Sequence, residues 1–344
     1  MTATIPAAVE TARDSVGPAM VAAVDRLSPD IREVAAYHLG LPGIDGRPPS
    51  GGGARGGGGG KALRPALALL SARAADAAPE RAVPAAVAVE LVHNFSLLHD
   101  DIMDGDTERR HRPTAWTVFG VGAAILAGDA LLALAQDLLL ESPPPEGVWA
   151  SRCLSAAVQR LIAGQGSDLA FERRNDVTVA ECLDMAGDKT AALMACSCSI
   201  GAVYVGGPAA TAKNLAGFGA YAGLAFQLTD DLLGIWGSPE VTGKPVMSDL
   251  RARKKSLPVV AALTSGTPAA HELAALLAEP EPLTEEQLAR AAELVEVAGG
   301  KVWAETKADA ALAAAVAYLA ETDMPPDVRG EFEGIAEFVT ARQW

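Results

Sequence analysis

The chain has 344 residues, half of them hydrophobic and only 5% aromatic, with a formal net charge of −15 and a pI near 4.8. A chain this acidic is a poor partner for nucleic acid and gains nothing from anionic lipid surfaces, and its overall field does not steer an anionic substrate. The available core is Ala, Leu and Val, which suits close helix packing, and no run of alternating strands with turn signals occurs, so the expected class is all-α.

In chain order, residues 7 to about 40 carry a helical pattern and predict one outer helix. LPGIDGRPPSGGGARGGGGG follows, a flexible Gly/Pro-rich loop over 41–60 that cannot hold regular structure. It runs directly into the next helix, Lys61 to about Ala75, so it is not a domain linker. The glycine run before Lys61 does not make a nucleotide-binding loop, because Ala62 stands where that pattern requires Ser or Thr. A helix is expected from 82 to about 104. Pro113 with Thr114 opens another, which runs to about Leu140 and ends at the SPPPEG turn. Residues 147–172 read as helix. Thr178 and Glu181 form a capping box that starts a helix carrying Lys189 and Thr190 inward. Further helices are expected over about 211–236 and from Leu257 onward, with GSPEVTGKP as a loop between them. Thr284 and Gln287 form a second capping box. The last hundred residues read as helical hairpins without candidate chemistry, and the whole of 1–344 as a single domain.

Cys153, Cys182, Cys196 and Cys198 show neither zinc spacing nor a disulfide framework, which points to a reducing cytoplasm. The first thirty residues carry acids throughout and no apolar signal-peptide core. Residues 194–212 run without a charge, but their Gly, Ser, Thr and Pro content reads as a buried helix end and loop rather than a transmembrane segment.

The chemistry-bearing stretch is LVHNFSLLHDDIMDGDTERRHRPTAWTVFG, residues 91–120. On a helix, Asp100 and Asp104 project from one face, one turn apart. Paired hard oxygen ligands suit Mg²⁺, which takes its remaining ligands from water and substrate phosphates. Arg109 and Arg110 follow, and an acidic cluster beside an arginine pair fits a metal-bridged diphosphate. A lone DDxxD reads more readily as a solvated acidic helix end followed by a basic loop. A second stretch, LAFQLTDDLLGIW over 224–236, repeats the pattern with Asp230 and Asp231, and Gln227 shares their face. Both helices are too apolar elsewhere to be surface helices, so the aspartates are expected to point into a shared cavity, where buried charges need metals or partners.

Taken together, GGKALRP (59–65), HNFSLLHDDIMD (93–104), RR (109–110), GQGSDLAFE (164–172), DKTAAL (188–193), FQLTDD (226–231), TGKPVMSDL (242–250) and RKKSLP (253–258) resemble, in order, the motifs of the polyprenyl synthetase family, the trans-isoprenyl diphosphate synthases. The resemblance implies an antiparallel helical bundle around a central cavity (the isoprenoid synthase fold), a homodimer, and two to three Mg²⁺ ions. The implied reaction is condensation of isopentenyl diphosphate with an allylic diphosphate. By resemblance, Asp100 and Asp104 ligate two Mg²⁺, with Asp101 nearby, and Asp230 holds the third. Arg109, Lys189 and Lys244 hold the allylic diphosphate and Lys254 closes over it. Lys61, Arg64, His93 and Arg110 bind isopentenyl diphosphate. Thr190 and Gln227 offer oxygens near the developing cation, and Gln165 and Asp168 line the same cavity. His93 by itself would read as a satisfied core histidine, and Gln165 and Asp168 as inter-helix hydrogen bonds. His99 and His111 carry no assignment.

One departure stands out: Gly234 replaces the last carboxylate of the second motif. Besides an ordinary synthase, this admits a terpene cyclase-like enzyme on the same fold, or a weakly active relative whose main role is association, for example as encapsulin cargo. The set Lys61, Arg64, His93 and Arg110 favours the synthase, since a cyclase needs no isopentenyl diphosphate pocket. In the family, an aromatic five residues before the first motif goes with short products. Phe95 holds that position and Ser96 the next, which implies a C20 product, with C15 second.

Overall fold

A computed structural model describes residues 6–42, 62–110, 112–143, 145–238 and 246–340, apart from the side chain of residue 339. Lys61, Lys244, His111 and nearly all of the 41–60 loop lie outside the described residues.

The N-terminal segment is two helices rather than one, α1 (Ala7–Val24) and α2 (Pro29–Leu39). Ser28 is extended (ψ 149°) because proline follows it, and Pro29 then starts α2 at its first position, where no amide hydrogen is needed. After α3 (Leu63–Arg73) and a short 3₁₀ turn, α4 (Val83–Met103) carries the first aspartates at its C-terminal end. The next segment also differs from the sequence expectation. Glu108–Arg109 pairs antiparallel with Arg112–Pro113, so Pro113 closes a two-residue hairpin instead of opening a helix. α5 (Ala115–Phe119) then stops at Gly120, whose φ of 88° a helix cannot hold, and α6 (Val121–Leu140) begins afresh.

α7 (Glu146–Phe171) is followed by α8 (Val179–Ala186), which the Thr178–Glu181 capping box starts as expected. A π-helical turn, Gly187–Ala191, links α8 to α9 (Ala192–Tyr204), and α10 (Ala209–Trp236) carries the second aspartates. Beyond it lie α11 (Ser248–Arg251), α12 (Leu257–Leu263), α13 (Pro268–Leu277), α14 (Glu285–Val297), α15 (Gly300–Ala320) and α16 (Pro326–Thr340). The Thr284–Gln287 capping box starts α14. The protein is all-α.

α4 packs on α3, α6 and α9, while α10 lies between α9 and α15. The largest apolar cluster is mostly Ala, Leu and Val from α1 to α4, α6, α7 and α9. A smaller one, including Phe171, Met185, Leu228, Leu232 and Leu257, lies beneath the second aspartate motif. Residues Pro79–Met103 and α6 are each long and apolar enough to cross a membrane by length and composition. Two thirds of the first is buried, as in a core helix.

Candidate active site

α4 delivers three carboxylates in its last turn. Asp104 is the capping residue, and its amide still donates to the Asp100 carbonyl at 2.8 Å, so the one-turn spacing of Asp100 and Asp104 survives the helix end. Asp101 is turned the other way and is 1% exposed. Its Oδ1 accepts from both Nε and Nη2 of Arg109 at 2.7 Å, which fixes that guanidinium. Asp100 is pushed up to about 6, first by burial, with Lys189 opposing and Asp104 reinforcing the shift. Asp104 is likewise raised by burial, against the pull of Lys189 and Lys254 and with Asp106 and Asp168 adding to it. The two lysines reach this patch from other segments.

Lys189 gets there through the π-turn. Turns of this kind inside helices frequently mark functional sites, because the extra residue re-aims the side chains around it. The turn is seated on α7 at Gly164, where an added Cβ would stand 2.3 Å from the Lys189 amide nitrogen. Lys189 Nζ donates to Asp168 at 2.6 Å. Thr190 Oγ1 donates to Gln227 Oε1 at 2.6 Å, and Gln227 Nε2 donates to Asp231 Oδ1 at 2.7 Å. The other Asp231 oxygen accepts from the Leu257 amide at 2.8 Å, at the start of α12. This relay ties the π-turn, α10 and α12 together. Both amide atoms of Gln165 are buried without a hydrogen-bond partner.

The second aspartate pair is split, which corrects the expectation that both point inward. Asp231 is buried and Asp230 is exposed. Burial pushes Asp231 up to about 6, with Asp249 adding to the shift and Lys254 opposing it. Burial works against the Lys254 charge, yet Asp231, Asp249, Asp168 and Asp230 together raise its ammonium above the usual range. Lys254 therefore stands between the two aspartate walls, in the electrostatic reach of both.

A separate basic cluster brings Arg64, His93 and Arg110 together. Burial lowers Arg64, while Glu90 raises it. Glu90 is itself raised by burial, against Arg64 and Asn94. Asn94 Nδ2 donates to the Glu90 carbonyl at 2.8 Å and to its carboxylate at 3.2 Å. His93 is held well below its usual value by burial and then by Arg64, Arg110 and Arg109, so its imidazole is neutral. Arg110 sits in the hairpin turn with a left-handed φ of 54°.

Three members of this cluster carry no signal in the sequence. Glu90 looks there like one more helical acid. His38 of α2 is lowered to about 3 by burial and by Arg109, Arg110 and Arg112. Arg112 lies 4.5 Å over the Tyr37 ring. The Nε and Nη2 of Arg112 and the Nε2 of His38 are buried without a partner. Tyr37 Oη donates to the Pro113 carbonyl at 2.9 Å, which ties α2 to the hairpin. A helix docked from 60 residues upstream leaves no local trace; only the apolar face of α2 hinted that something packs there.

The donor set fits a hard divalent cation. Asp100 and Asp104 offer carboxylate oxygens whose ionised forms are crowded and part-buried, a conflict that a cation relieves. Among the described residues, no three His, Cys, Asp or Glu side chains form a ready cage.

The model of the family described as polyprenyl synthetase matches residues 56–295. The chain is 46% identical over 335 residues to a (2E,6E)-farnesyl diphosphate synthase of Mycobacterium tuberculosis, covering 96% of this chain and 92% of that one. It is 45% identical over 323 residues to a geranylgeranyl diphosphate synthase of the same organism, covering 94% and 91%. Among solved structures, a polyprenyl synthetase of Streptomyces coelicolor A3(2) superposes with a TM-score of 0.91 at 50% identity, over 98% of this chain and 99% of that one. A geranylgeranyl pyrophosphate synthase of Corynebacterium glutamicum, complexed with isoprenyl diphosphate and magnesium, gives 0.81 at 26% identity, over 99% and 100%.

Proposed function

Because the chain belongs to the polyprenyl synthetase family, we propose that this site joins isopentenyl diphosphate to an allylic diphosphate. The protein is a short-chain trans-prenyltransferase. One observation carries the assignment of substrates to walls: an acid-lined wall and an arginine-rich cluster, with Glu90 as its one named carboxylate, lie side by side, joined by the Asp101–Arg109 ion pair. Two diphosphates of different demands fit two such places. The allylic one, whose C–O bond must break, belongs at the Asp100–Asp104 wall with Asp230 opposite. The isopentenyl one, whose diphosphate stays attached, belongs at Arg64, His93 and Arg110, with Lys61.

Magnesium, two or three ions, would be held by Asp100, Asp104 and Asp230 and would offset the charge developing on the departing diphosphate. Lys189 and Lys254, already fixed among carboxylates, hold that anion from the side, with Arg109 and Lys244. The relay from Asp231 sets a further element. Asp231 orients the Gln227 amide so that its oxygen accepts the hydrogen bond that the Thr190 hydroxyl donates. The Thr190 lone pairs are then free to face an allylic cation, and no proton points at it. The Ala- and Leu-rich walls exclude water from that cation.

We also place the protein in the cytoplasm, where its four free cysteines stay reduced, as a single domain over 1–344. A second copy is the partner that would cover the exposed Val118, Val121, Ile125, Leu126 and Leu140 of α5 and α6. Sedimentation of the purified chain as a monomer at micromolar concentration would reject the dimer.

The test of function is incubation with Mg²⁺, isopentenyl diphosphate and dimethylallyl, geranyl or farnesyl diphosphate, with product identification. The expected products are C15 to C20 trans-prenyl diphosphates, C20 predominating. A cyclic hydrocarbon formed from an allylic diphosphate alone would overturn the synthase assignment. No turnover together with tight co-purification in a protein shell would support the association role instead.

A further inference from the structure

Between α2 and the arginine hairpin lies a small cavity of about 20 Å³. One water molecule needs about 10–15 Å³, so the cavity has room for a single water and nothing larger. Asp101, His38 and Arg112 line it, and each brings polar atoms that are buried with no partner on the protein. Asp101 Oδ2 is the acceptor left over once Oδ1 has taken both Nε and Nη2 of Arg109. Arg112 brings two donors, Nε and Nη2, and His38 brings Nε2.

The tautomer of His38 decides what its Nε2 can do. Nε2 has no protein partner, so the hydrogen bond between His38 and the Asn94 side chain is made at Nδ1. Asn94 already commits its Nδ2 to the Glu90 carbonyl and carboxylate. Its amide oxygen is then the atom that meets the ring, and Nδ1 carries the hydrogen. A neutral ring protonated at Nδ1 has a lone pair at Nε2. The cavity therefore presents two acceptors, on Asp101 and His38, and two donors on Arg112. A water molecule is a double donor and a double acceptor, which matches this set atom for atom. An anion in the same place faces the Asp101 carboxylate, and a cation faces Arg109, Arg110 and Arg112. An apolar group leaves four buried polar atoms unpaired.

We propose that one internal water, held by Asp101, His38 and Arg112, locks the arginine hairpin against α2 and α4, which makes His38 and Arg112 positioning residues for Arg110. The three holders come from three segments: α4, α2 and the second strand of the hairpin. Arg110 lies between the two strands at a left-handed φ of 54°. A residue with a side chain keeps that conformation only where its surroundings impose it. Here they are the Asp101–Arg109 pair on the first strand, and on the second the Tyr37 hydroxyl at Pro113, the stack of Arg112 on the Tyr37 ring and the water. Without the water the second strand loses its tie to Asp101, and Arg110 shifts with it. Arg109 keeps its own grip on Oδ1, so the effect falls on one diphosphate and not on the other.

The kinetic part of the test rests on the isopentenyl diphosphate assignment above, and the crystallographic part does not. A high-resolution crystal structure of the wild-type protein should show one ordered water within hydrogen-bond distance of all three residues. His38→Leu fills similar space without an acceptor. It should raise KM for isopentenyl diphosphate about tenfold, the equivalent of one hydrogen bond to a charged group, and leave kcat and the allylic KM within about twofold. His38→Gln carries an amide to the place of Nε2 and should bring KM back to within about twofold of wild type. A loss of stability alone lowers the active fraction and leaves KM where it was, so the split separates positioning from packing. A dry cavity, or an ion in place of the water, overturns the inference. So does a His38→Leu protein with the wild-type KM, or a His38→Gln protein as impaired as His38→Leu. Arg110→Gln serves as reference: if it raises KM for isopentenyl diphosphate and His38→Leu does not, only this inference fails. If Arg110→Gln does not raise it, the assignment of that substrate to the basic cluster fails and takes the positioning role with it.

Discussion

Gly164 on α7 gives the sharpest test of how Lys189, the lysine proposed to hold the diphosphate, is positioned. Replacing it by alanine puts a methyl group 2.3 Å from the Lys189 nitrogen, 2.7 Å from its Cα and 2.9 Å from the Asp188 carbonyl carbon. All three are backbone atoms, so no side chain can rotate away and the π-turn must retreat by about 1 Å to reach ordinary contact. Overpacking of this kind costs about 3 kcal/mol, the upper end of its usual range, and the better helix propensity of alanine returns about 1 kcal/mol. The net loss of about 2 kcal/mol corresponds to a fall of about 3 °C in Tm for a chain of this size. The catalytic loss should be larger, since a shift of about 1 Å at a positioned group costs about a hundredfold. Gly166, two residues on, is exposed and has nothing within 4 Å of its Cβ position. Gly166→Ala should raise Tm by about 1 °C through helix propensity alone and leave kcat unchanged. Calorimetric melting and steady-state kinetics on the two variants decide the matter. If Gly164→Ala matches Gly166→Ala in both readouts, close seating of the π-turn does not position Lys189.

Asp100→Ala and Asp104→Ala should each lose about a hundredfold or more in rate, as expected for lost metal ligands, while remaining folded by circular dichroism. Asp100 also carries a pH signature. Its folded value, about 6, lies above the unfolded carboxylate range, so its contribution to stability is present at low pH and is lost as pH rises through about 6. In metal-free buffer Asp100→Asn should therefore gain in Tm over wild type between pH 4.5 and 7.5, and a pH-independent difference refutes this. Phe95 is buried with its ring edge-on to His99 at 4.9 Å, and His99 Nε2 meets the Ile125 carbonyl of α6 at 3.1 Å. If that pair is the floor beneath the growing chain, Phe95→Ala lengthens products by one or more five-carbon units, and an unchanged distribution from a folded, active variant rules it out. Asp231→Ala leaves the Leu257 amide and the Gln227 side chain without their acceptor, at about 1–3 kcal/mol for each orphaned donor. Asp231→Asn can be satisfied if the Gln227 amide flips and Thr190 becomes the acceptor, so it should melt closer to wild type. Equal losses would break the relay.

The sequence by itself determined what depends on neighbours along the chain. Helical periodicity, the two capping boxes at Thr178 and Thr284 and the spacing of Asp100 and Asp104 are local, and each stands in the structure where the residues put it. Where two local signals competed, the breaker won: Ser28–Pro29 split one helical pattern in two, and Gly120 split another. The two aspartate motifs and the arginine pair were legible as chemistry because charged residues in apolar helices need a reason to be there. Only the tertiary structure decided which member of a pair does what. Asp230 and Asp231 are adjacent on one helix, about 100° apart in direction, and the donors at Leu257 and Gln227 draw one of them inward. Gly164 read as a helix glycine until α7 met the π-turn, and the part His38 and Arg112 play beside the arginine pair exists only where α2 meets the hairpin. Gly234 read as a missing carboxylate, and only the packing shows that the Asp249 side chain, fifteen residues further on, lies against it. A local code records spacing along one helix, whereas the place that Asp249 fills exists only once α10 and α11 are packed together.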